Sequence, residues 1–174
     1  MRMTAFSDYS LRVLIYLGVH DERLATIGDI AAAYGISGNH LMKVFHYLAQ
    51  SGYVETVRGK GGGMRLARAP ESINIGELVR VTEETLKLVE CFDREASNCR
   101  IESACVLRGV VGRALEAFFG VLDRCTLADL LAPKPKLLQA LTFVPTRRAS
   151  HSIAAPQVSS RNRKTTQRRA PSRQ

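Results

Sequence analysis

Three cysteines in the second half of the chain have the residue type and spacing of metal ligands. Cys91, Cys99 and Cys105 fall within a stretch of 15 residues, separated by seven and five residues. Thiolates bind soft and borderline metals, and three of them on one segment can converge on a single centre with one coordination position left over. No Cys-x-x-Cys pair is present, which argues against a zinc ribbon and against a thioredoxin-like redox motif. A zinc site completed by a fourth ligand, or three uncoordinated thiols, are the alternatives.

The placement of the fourth cysteine and the length of the apolar segments indicate the cellular compartment of the protein. Cys125 lies twenty residues beyond the third cysteine without a neighbouring partner, so we expect it in the core. The longest early apolar stretch, residues 13–19, is far shorter than the roughly 20 residues that a membrane helix needs. We therefore expect a cytoplasmic protein in which the cysteines are reduced and form no structural disulfides.

The formal net charge of +9 is unevenly distributed along the chain. Residues 144–174 contain eight Lys and Arg residues and no acidic residue, which leaves 17 basic against 16 acidic side chains in residues 1–143. The Ser-, Arg-, Gln- and Pro-rich composition of this tail is typical of a disordered segment that either adds non-specific DNA affinity or is dispensable. Residues 35–68 have five basic residues and one acidic residue. This stretch is therefore the better candidate for contact with nucleic acid.

Helical spacing near the N-terminus predicts two helices ahead of this basic stretch. Apolar residues recur at helical period in residues 8–20, with Ser7 and Asp8 as candidate N-cap residues. A second, short helix is predicted after Thr26, whose capping partner would be Asp29 three residues later.

A third helix is predicted over residues 38–50, directly after a tight turn that contains Gly35. Two helices joined by a short turn with glycine are typical of a helix-turn-helix, in which the second helix enters the major groove. An ordinary helical hairpin is the alternative at this point. The buried face would consist of Leu41, Val44, Phe45 and Leu48. The candidate DNA contacts of the predicted recognition helix are Ser37, Asn39, His40 and Lys43, and Tyr47 would also lie on its exposed face.

A glycine-rich hairpin follows the third helix. Residues 53–57 and 64–67 are rich in β-forming residues and enclose Gly59-Lys60-Gly61-Gly62-Gly63. Arg58, Lys60 and Arg65 stand beside glycines that let the backbone approach a phosphate or enter a minor groove. The pattern favours the wing of a winged helix over a solvated loop with incidental charge. We predict a mainly α fold with a small β-hairpin, in which residues 1–82 form a winged helix-turn-helix DNA-binding domain.

The second half of the chain is predicted to contain a loop and a dimerisation helix. Asn74 and Glu77 would cap a short helix that completes the core. Residues 83–104 are polar and weakly periodic, which indicates an irregular, cysteine-bearing loop. Residues 105–132 contain a long helix and a following turn, and residues 133–174 form a C-terminal extension that is basic and disordered from about residue 144. The stripe that we interpret as the dimer contact, with packing inside one chain as the alternative, consists of Leu107, Val111, Ala114, Leu115, Phe118, Phe119 and Leu122.

Together these motifs resemble the winged-helix family of iron–sulfur transcription regulators over about residues 1–143. Within that family the chain is most similar to the nitric-oxide-sensing repressors. The combination is much more specific than any single motif. It consists of Met1-Arg2-Met3-Thr4, Phe6-Ser7-Asp8-Tyr9, Tyr34-Gly35-Ile36-Ser37, Asn39-His40-Leu41, the segment from Val57 to Gly63, the three cysteines, and Thr126-Leu127-Ala128-Asp129-Leu130.

The resemblance implies a homodimer whose subunits each hold an iron–sulfur cluster through Cys91, Cys99 and Cys105. We expect a 4Fe–4S cluster rather than a 2Fe–2S cluster. In the nitric-oxide sensors the remaining ligand is an aspartate near the N-terminus of the partner subunit, a position that Asp8 occupies here. From the residues alone Asp8 is a helix N-cap, and the two roles are compatible because the helix dipole favours a carboxylate. Family members that regulate cluster biogenesis use a histidine where this chain has Arg108.

The resemblance further implies a repressor of double-stranded operator DNA that releases its operator when nitric oxide attacks the cluster. The seven-residue gap between the first two cysteines is longer than in some nitric-oxide sensors, and it matches the spacing of iron-responsive members of the family. An iron- or cluster-status-responsive regulator and a zinc-stabilised DNA-binding protein are therefore the alternatives. We expect no enzyme, because no nucleophile–base pair, acid pair or phosphate-binding loop is evident.

Overall fold

The computed structural model describes residues 2–83, 88–92 and 98–142. Within these residues the fold is mainly helical with one two-stranded antiparallel sheet, as predicted. No helix in the described ranges is long and apolar enough to cross a membrane. Short 3₁₀ turns lie at Pro70–Ser72, Glu90–Phe92 and Glu102–Ala104. The regular elements are α1 (Ala5–Val19), α2 (Ile27–Tyr34), α3 (Gly38–Gln50), β1 (Val54–Val57), β2 (Gly63–Leu66), α4 (Ile75–Thr82), α5 (Val106–Leu122), α6 (Leu127–Leu131) and α7 (Lys134–Thr142).

The first helix begins one turn earlier than the sequence predicts. Thr4 is the N-cap residue, and its hydroxyl accepts a hydrogen bond from the backbone N–H of Ser7 at 3.2 Å. Ser7 is fully buried, and Asp8 lies in the first turn of the helix. The assignment of Ser7 and Asp8 as N-cap residues is therefore wrong. The physical reason is that Phe6 packs edge-on against Tyr47 of α3, which extends the apolar face of α1 toward the N-terminus.

The N-terminal caps of α2 and α4 are local, and the sequence predicts them. Thr26 and Asp29 form a reciprocal capping box at the start of α2, and α2 ends at Gly35, whose φ of +64° places it in the left-handed region. Asn74 accepts a hydrogen bond from the backbone N–H of Glu77 at the start of α4.

The hydrophobic core surrounds α1, which packs against α3, α4, α6 and β2. Val13, Leu14 and Leu17 of α1 are almost completely buried. The four apolar residues predicted on the buried face of α3 are all buried, which confirms the orientation of that helix. Phe119 of α5 and Leu127 of α6 extend the same core into the second half of the chain.

The last helix, α7, lies within residues 133–174, for which the sequence predicts only an extension. Lys134 binds Asp21 through a 2.7 Å ion pair that lowers the pKa of the aspartate. Leu141 packs against the core. The sequence predicts α7 only weakly because Pro133 and Pro135 flank its first residue, and proline usually interrupts a helix. In the first turn proline is tolerated, since its missing N–H would have no partner in the helix. Residues 143–174, which include the predicted basic tail, lie outside the described residues.

Candidate nucleic-acid interface and metal-binding segment

Helix α3 has one buried face and one polar face. Asn39, His40 and Lys43 are exposed on its N-terminal half, as predicted. Ser37 stands at the N-cap position, and its side chain makes no capping hydrogen bond, so its hydroxyl is available to an external acceptor. Tyr47 differs from the prediction because it is half-buried and contacts α1 and the end of α4. The exposed polar groups therefore concentrate where a recognition helix meets base edges.

The turn before α3 is held by α2. The backbone N–H of Ile36 donates to the carbonyl of Ala31 at 3.1 Å, across the left-handed Gly35. At the other end of α2, the backbone N–H of Thr26 donates to the carboxylate of Asp29 at 2.8 Å, and this hydrogen bond lowers the pKa of Asp29. Both ends of α2 are thus fixed, which positions the start of α3.

The hairpin of β1 and β2 is anchored to the loop between α1 and α2. Ala25 and Met64 exchange two backbone hydrogen bonds, of 3.0 and 2.8 Å. A side chain on Gly63 would lie 2.8 Å from the carbonyl oxygen of Ala25, and a side chain on Gly62 would lie 2.9 Å from the carbonyl oxygen of Gly59. These two glycines are thus required by close packing inside the protein rather than by contact with DNA. The wing has a fixed base and a short exposed tip.

The three basic residues predicted for the wing are not equivalent. Arg58 and Lys60 are exposed at the tip. Arg65 is exposed on β2, but it forms an ion pair with Glu55, the residue opposite it in the strand register. Arg68, just after β2, donates to the carbonyls of Ser51 and Gly52 and lies over the Tyr53 ring, so it stabilises the hairpin instead. Arg58 and Lys60 are the more available cations.

Asp8 lies in the first turn of α1 and is partly exposed. Its carboxylate pairs with Arg12 one turn later at 2.9 Å, and both side chains are about two-fifths exposed. Arg12 lies over the ring of Tyr34 at the end of α2, 5.6 Å from its centroid. Burial raises the pKa of Tyr34 to about 12. Tyr9, the neighbour of Asp8, lies 6.2 Å from His40 between ring centroids.

The predicted cysteine ligands are described one by one but are not gathered into a site. Cys91 is buried in the Glu90–Phe92 turn, and Cys99 and Cys105 are half-buried; none of them forms a disulfide. Cys105 immediately precedes α5 at its N-cap position. Among the described residues, no group of three or more His, Cys, Asp or Glu side chains lies close enough to hold a metal. Residues 93–97, between the first two cysteines, lie outside that part of the chain.

The chemistry of the donor set nevertheless fits an iron–sulfur cluster. Three unpaired thiols supply the soft ligands that such clusters take. None of the three lies within an α-helix or a strand. Cys125 differs from them, because its Sγ donates to the carbonyl of Val121 at 3.6 Å and it packs against the core. It is half-buried rather than fully buried, but its core contact agrees with the prediction for this residue.

The end of α4, which leads into the cysteine-bearing residues 83–104, is tied to α3 and to the N-cap of α1. The hydroxyl of Tyr47 in α3 donates to the carbonyl of Val81 at 2.7 Å. The backbone N–H of Thr4 donates to the carboxylate of Glu83 at 2.8 Å. These residues are not predicted from the sequence, because nothing in a single sequence indicates which distant carbonyl a tyrosine reaches. They connect the entry of the cysteine segment to α1 and α3.

Helix α5 divides the predicted apolar stripe between two faces. Leu115, Phe118, Phe119 and Leu122 pack against the core of the same chain, so packing within one chain accounts for this part of the stripe. A second line of small and apolar residues is exposed, with successive spacings of three, four, three and four residues. It consists of Leu107, Val110, Ala114, Ala117 and Val121, and is called the α5 seam below.

Comparisons with a family model, with individual proteins and with solved structures all find transcription regulators. The family model Rrf2, described as an iron-dependent transcriptional regulator, matches residues 3–133. An HTH-type transcriptional regulator NsrR of Bacillus subtilis is 50% identical over 142 residues, which is 81% of this chain and 97% of that protein. Its namesake in Bacillus licheniformis is 48% identical over 82% of this chain and all of that protein. The solved structure of T. potens IscR has a TM-score of 0.61 at 29% identity, and covers 75% of this chain and 86% of that one.

Proposed function

Since this chain belongs to the Rrf2 family of iron-dependent transcriptional regulators, we propose that it is a dimeric repressor whose cysteine segment holds an iron–sulfur cluster that controls operator binding. Its relatives are DNA-binding transcription regulators and not enzymes. The observation that carries the proposal is the pairing of a polar recognition face on α3 with a basic wing, on a chain that also contains three unpaired thiols. The protein acts in the cytoplasm.

The DNA contacts divide between helix and wing. Asn39, His40 and Lys43 of α3 contact base edges or phosphates in the major groove. The hydroxyl of Ser37 donates a hydrogen bond to a phosphate of the DNA backbone. Arg58 and Lys60 contact the DNA backbone or minor groove beside it, with Arg65 contributing less because of its pairing with Glu55. Their positive charge supplies much of the affinity through release of counterions.

The homodimer forms through the α5 seam. Leu107 and Val121, near its two ends, are 61% and 55% exposed, a large apolar exposure for residues on one helix face. The alternating spacing of three and four residues is that of two helices packed side by side. Two-fold symmetry then places two α3 helices in successive major grooves, about one helical turn apart.

Cys91, Cys99 and Cys105 would hold the cluster, with Asp8 of the partner subunit as the remaining ligand. When bound, the cluster, which we expect to be 4Fe–4S, supplies iron that reacts with nitric oxide. Asp8 must leave Arg12 to take this role. The pair is exposed and spaced four residues apart on a helix, so leaving it costs only about 0.3–0.5 kcal/mol. The carboxylate is therefore readily available.

Nitric oxide is the proposed signal: iron held by the three cysteines would react with it, and repression would be relieved as the operator is released. The resemblance to nitric-oxide-sensing repressors supports it, together with relatives that bear the NsrR name at 48% and 50% identity. A regulator that responds to iron or to cluster status through the same cysteines is the second candidate, favoured by the spacing of seven and five residues between them.

Serine substitutions of the four cysteines test the ligand set. We expect anaerobically purified wild-type protein to be brown and to contain iron and acid-labile sulfide. Cys91→Ser, Cys99→Ser and Cys105→Ser should each lose most of the visible absorption, whereas the matched control Cys125→Ser should retain it. Colourless wild-type protein with stoichiometric zinc would support the zinc-stabilised alternative and contradict the cluster.

A further inference from the structure

Met42 is the one large apolar side chain that the DNA-facing helix α3 exposes among the described residues. It is 58% exposed. The buried face of α3 is already complete without it, because Leu41, Val44, Phe45 and Leu48 pack into the core. The packing of the described chain therefore gives no reason for a methionine at this position.

Met42 shares its helix face with polar residues that can reach DNA. Asn39 and His46 lie three residues before and four residues after it, and Lys43 is its immediate neighbour; all are exposed. Residues three and four apart lie on the same side of a helix, so Met42 stands between Asn39 and His46 on the exposed surface. If α3 enters the major groove, this side chain faces the base pairs.

The apolar group that the major groove offers is the C5 methyl group of thymine. We propose that Met42 packs against a thymine methyl group in each half-site and makes the protein prefer thymine there, an inference that rests on the proposed operator binding. The unbranched, polarisable thioether adapts to the position of the methyl group, whereas polar neighbours read hydrogen-bonding groups. Met42 is thus a specificity-determining residue in addition to the polar contacts.

The expected effect is modest and measurable. Burial of one methyl-sized group contributes ~0.8 kcal/mol, which corresponds to about a fourfold change in affinity. A symmetric dimer makes this contact twice, so removal of both methyl groups should lower affinity by about 16-fold when the two contacts are independent.

The test removes single methyl groups from DNA. A tight-binding duplex is selected from a random-sequence pool with the full-length, anaerobically purified protein, and each thymine is then replaced in turn by deoxyuridine, which lacks only the C5 methyl group. With wild-type protein, one thymine in each half-site should show the loss of about fourfold. With Met42→Ala the same replacement should have no effect. Met42→Leu, which keeps an apolar side chain, should retain part of it.

His46→Ala is the matched control, because His46 is exposed on the same face and should leave the effect of deoxyuridine unchanged. Equal losses in wild type and Met42→Ala, or no loss at any thymine, would overturn the assignment of Met42 while leaving operator binding intact. Failure to select any preferred duplex would overturn both this inference and the proposed function.

Discussion

Asp8 makes only a partly exposed ion pair within its own chain, with Arg12 one turn later. Arg12 contacts both oxygens of this carboxylate, and the dipole of α1 favours a negative charge in its first turn, so Asp8→Ala should change the free energy of unfolding of the cluster-free protein by no more than about 1 kcal/mol. If the carboxylate is a ligand in the partner subunit, the same substitution should alter the visible spectrum of the loaded protein or lower its iron content. Chemical denaturation and absorption spectra measure the two effects separately.

Asp21→Ala is the control for this substitution, because Asp21 also forms an exposed ion pair, with Lys134, away from the first turn of α1. It should leave the spectrum unchanged. An unchanged spectrum, iron content and DNA affinity in Asp8→Ala would show that the carboxylate is not a ligand.

The wing cations provide a second prediction at the scale of single residues. Lys60→Ala should weaken binding to all DNA sequences and reduce the slope of log affinity against log salt concentration by about 2, because a symmetric dimer loses one phosphate contact in each half-site. Arg65→Ala should change this slope less, since its guanidinium pairs with Glu55. Fluorescence anisotropy across a salt series measures both. A larger change of slope for Arg65 than for Lys60 would contradict this assignment of the tip.

The exposed DNA candidates on α3 and at the wing tip could be predicted from the sequence because helical spacing and glycine position determine exposure locally. The pairing of Arg65 and the reach of Tyr47 to Val81 could not, because each depends on a residue in another strand or helix. The need for glycine at position 63 could not be predicted either, because it arises from the close approach of the Ala25 carbonyl, which is distant in the sequence.

At the scale of elements, an ion pair between Arg80 and Asp123 joins α4 to the end of α5, and Gly76 of α4 lies directly beside Asp123. Arg80 of α4 forms two hydrogen bonds to the carboxylate of Asp123 at the end of α5 and lies over the ring of Phe119. Arg80 lowers the pKa of Asp123. The contribution of this pair to stability is therefore present at neutral pH and is lost as pH falls through the lowered pKa.

Gly76 allows this close approach and supports a third prediction. A side chain at Gly76 would lie 2.9 Å from the backbone nitrogen of Asp123 and closer still to its carboxylate. Gly76→Ala should therefore lower the free energy of unfolding by about 1–3 kcal/mol. Gly112→Ala in α5, where nothing lies within 4 Å of the added methyl group, is the control and should be neutral or stabilising. Denaturation at one protein concentration compares them, and equal stability of the two variants would contradict the packing described.

Helix caps and helix lengths were predictable where the signal is short-range. The capping box at Thr26 satisfies a backbone donor three residues away, so its residues suffice to predict the start of α2; the structure shows an equivalent box at Thr126, at the start of α6. Helix α7 depends instead on contacts with α1 and α2, which are distant in the sequence. Its three leucines do not predict a packed helix unless those surfaces of α1 and α2 are known.

At the scale of the whole molecule, the α5 seam predicts the oligomeric state. Ala114→Glu places a charge at the centre of the seam, where two helices would meet, so it should convert dimer to monomer at micromolar concentration and weaken operator binding. Analytical ultracentrifugation measures the change. Glu116→Gln, which alters an exposed charge of α5 outside the seam, should remain dimeric. An Ala114→Glu protein with wild-type sedimentation would move the interface elsewhere.

The molecular assembly is also the level at which sequence reasoning depends most on family resemblance. Spacing alone identifies Cys91, Cys99 and Cys105 as candidates, but it selects neither the metal nor the fourth ligand. The described residues of one chain do not gather these groups. If Asp8 of the partner subunit is the fourth ligand, as proposed, the site is complete only in the dimer.

The central claim is that a cluster held by the three cysteines controls operator binding in response to nitric oxide. The most direct test records the visible absorption spectrum of anaerobically purified protein during titration with nitric oxide, while binding to the selected duplex is measured in the same samples. The account predicts brown protein that bleaches and releases DNA in parallel, with the two titration curves superimposed. Protein that keeps its DNA while the absorption bleaches, or a cluster that is indifferent to nitric oxide and is lost only on iron chelation, would contradict it.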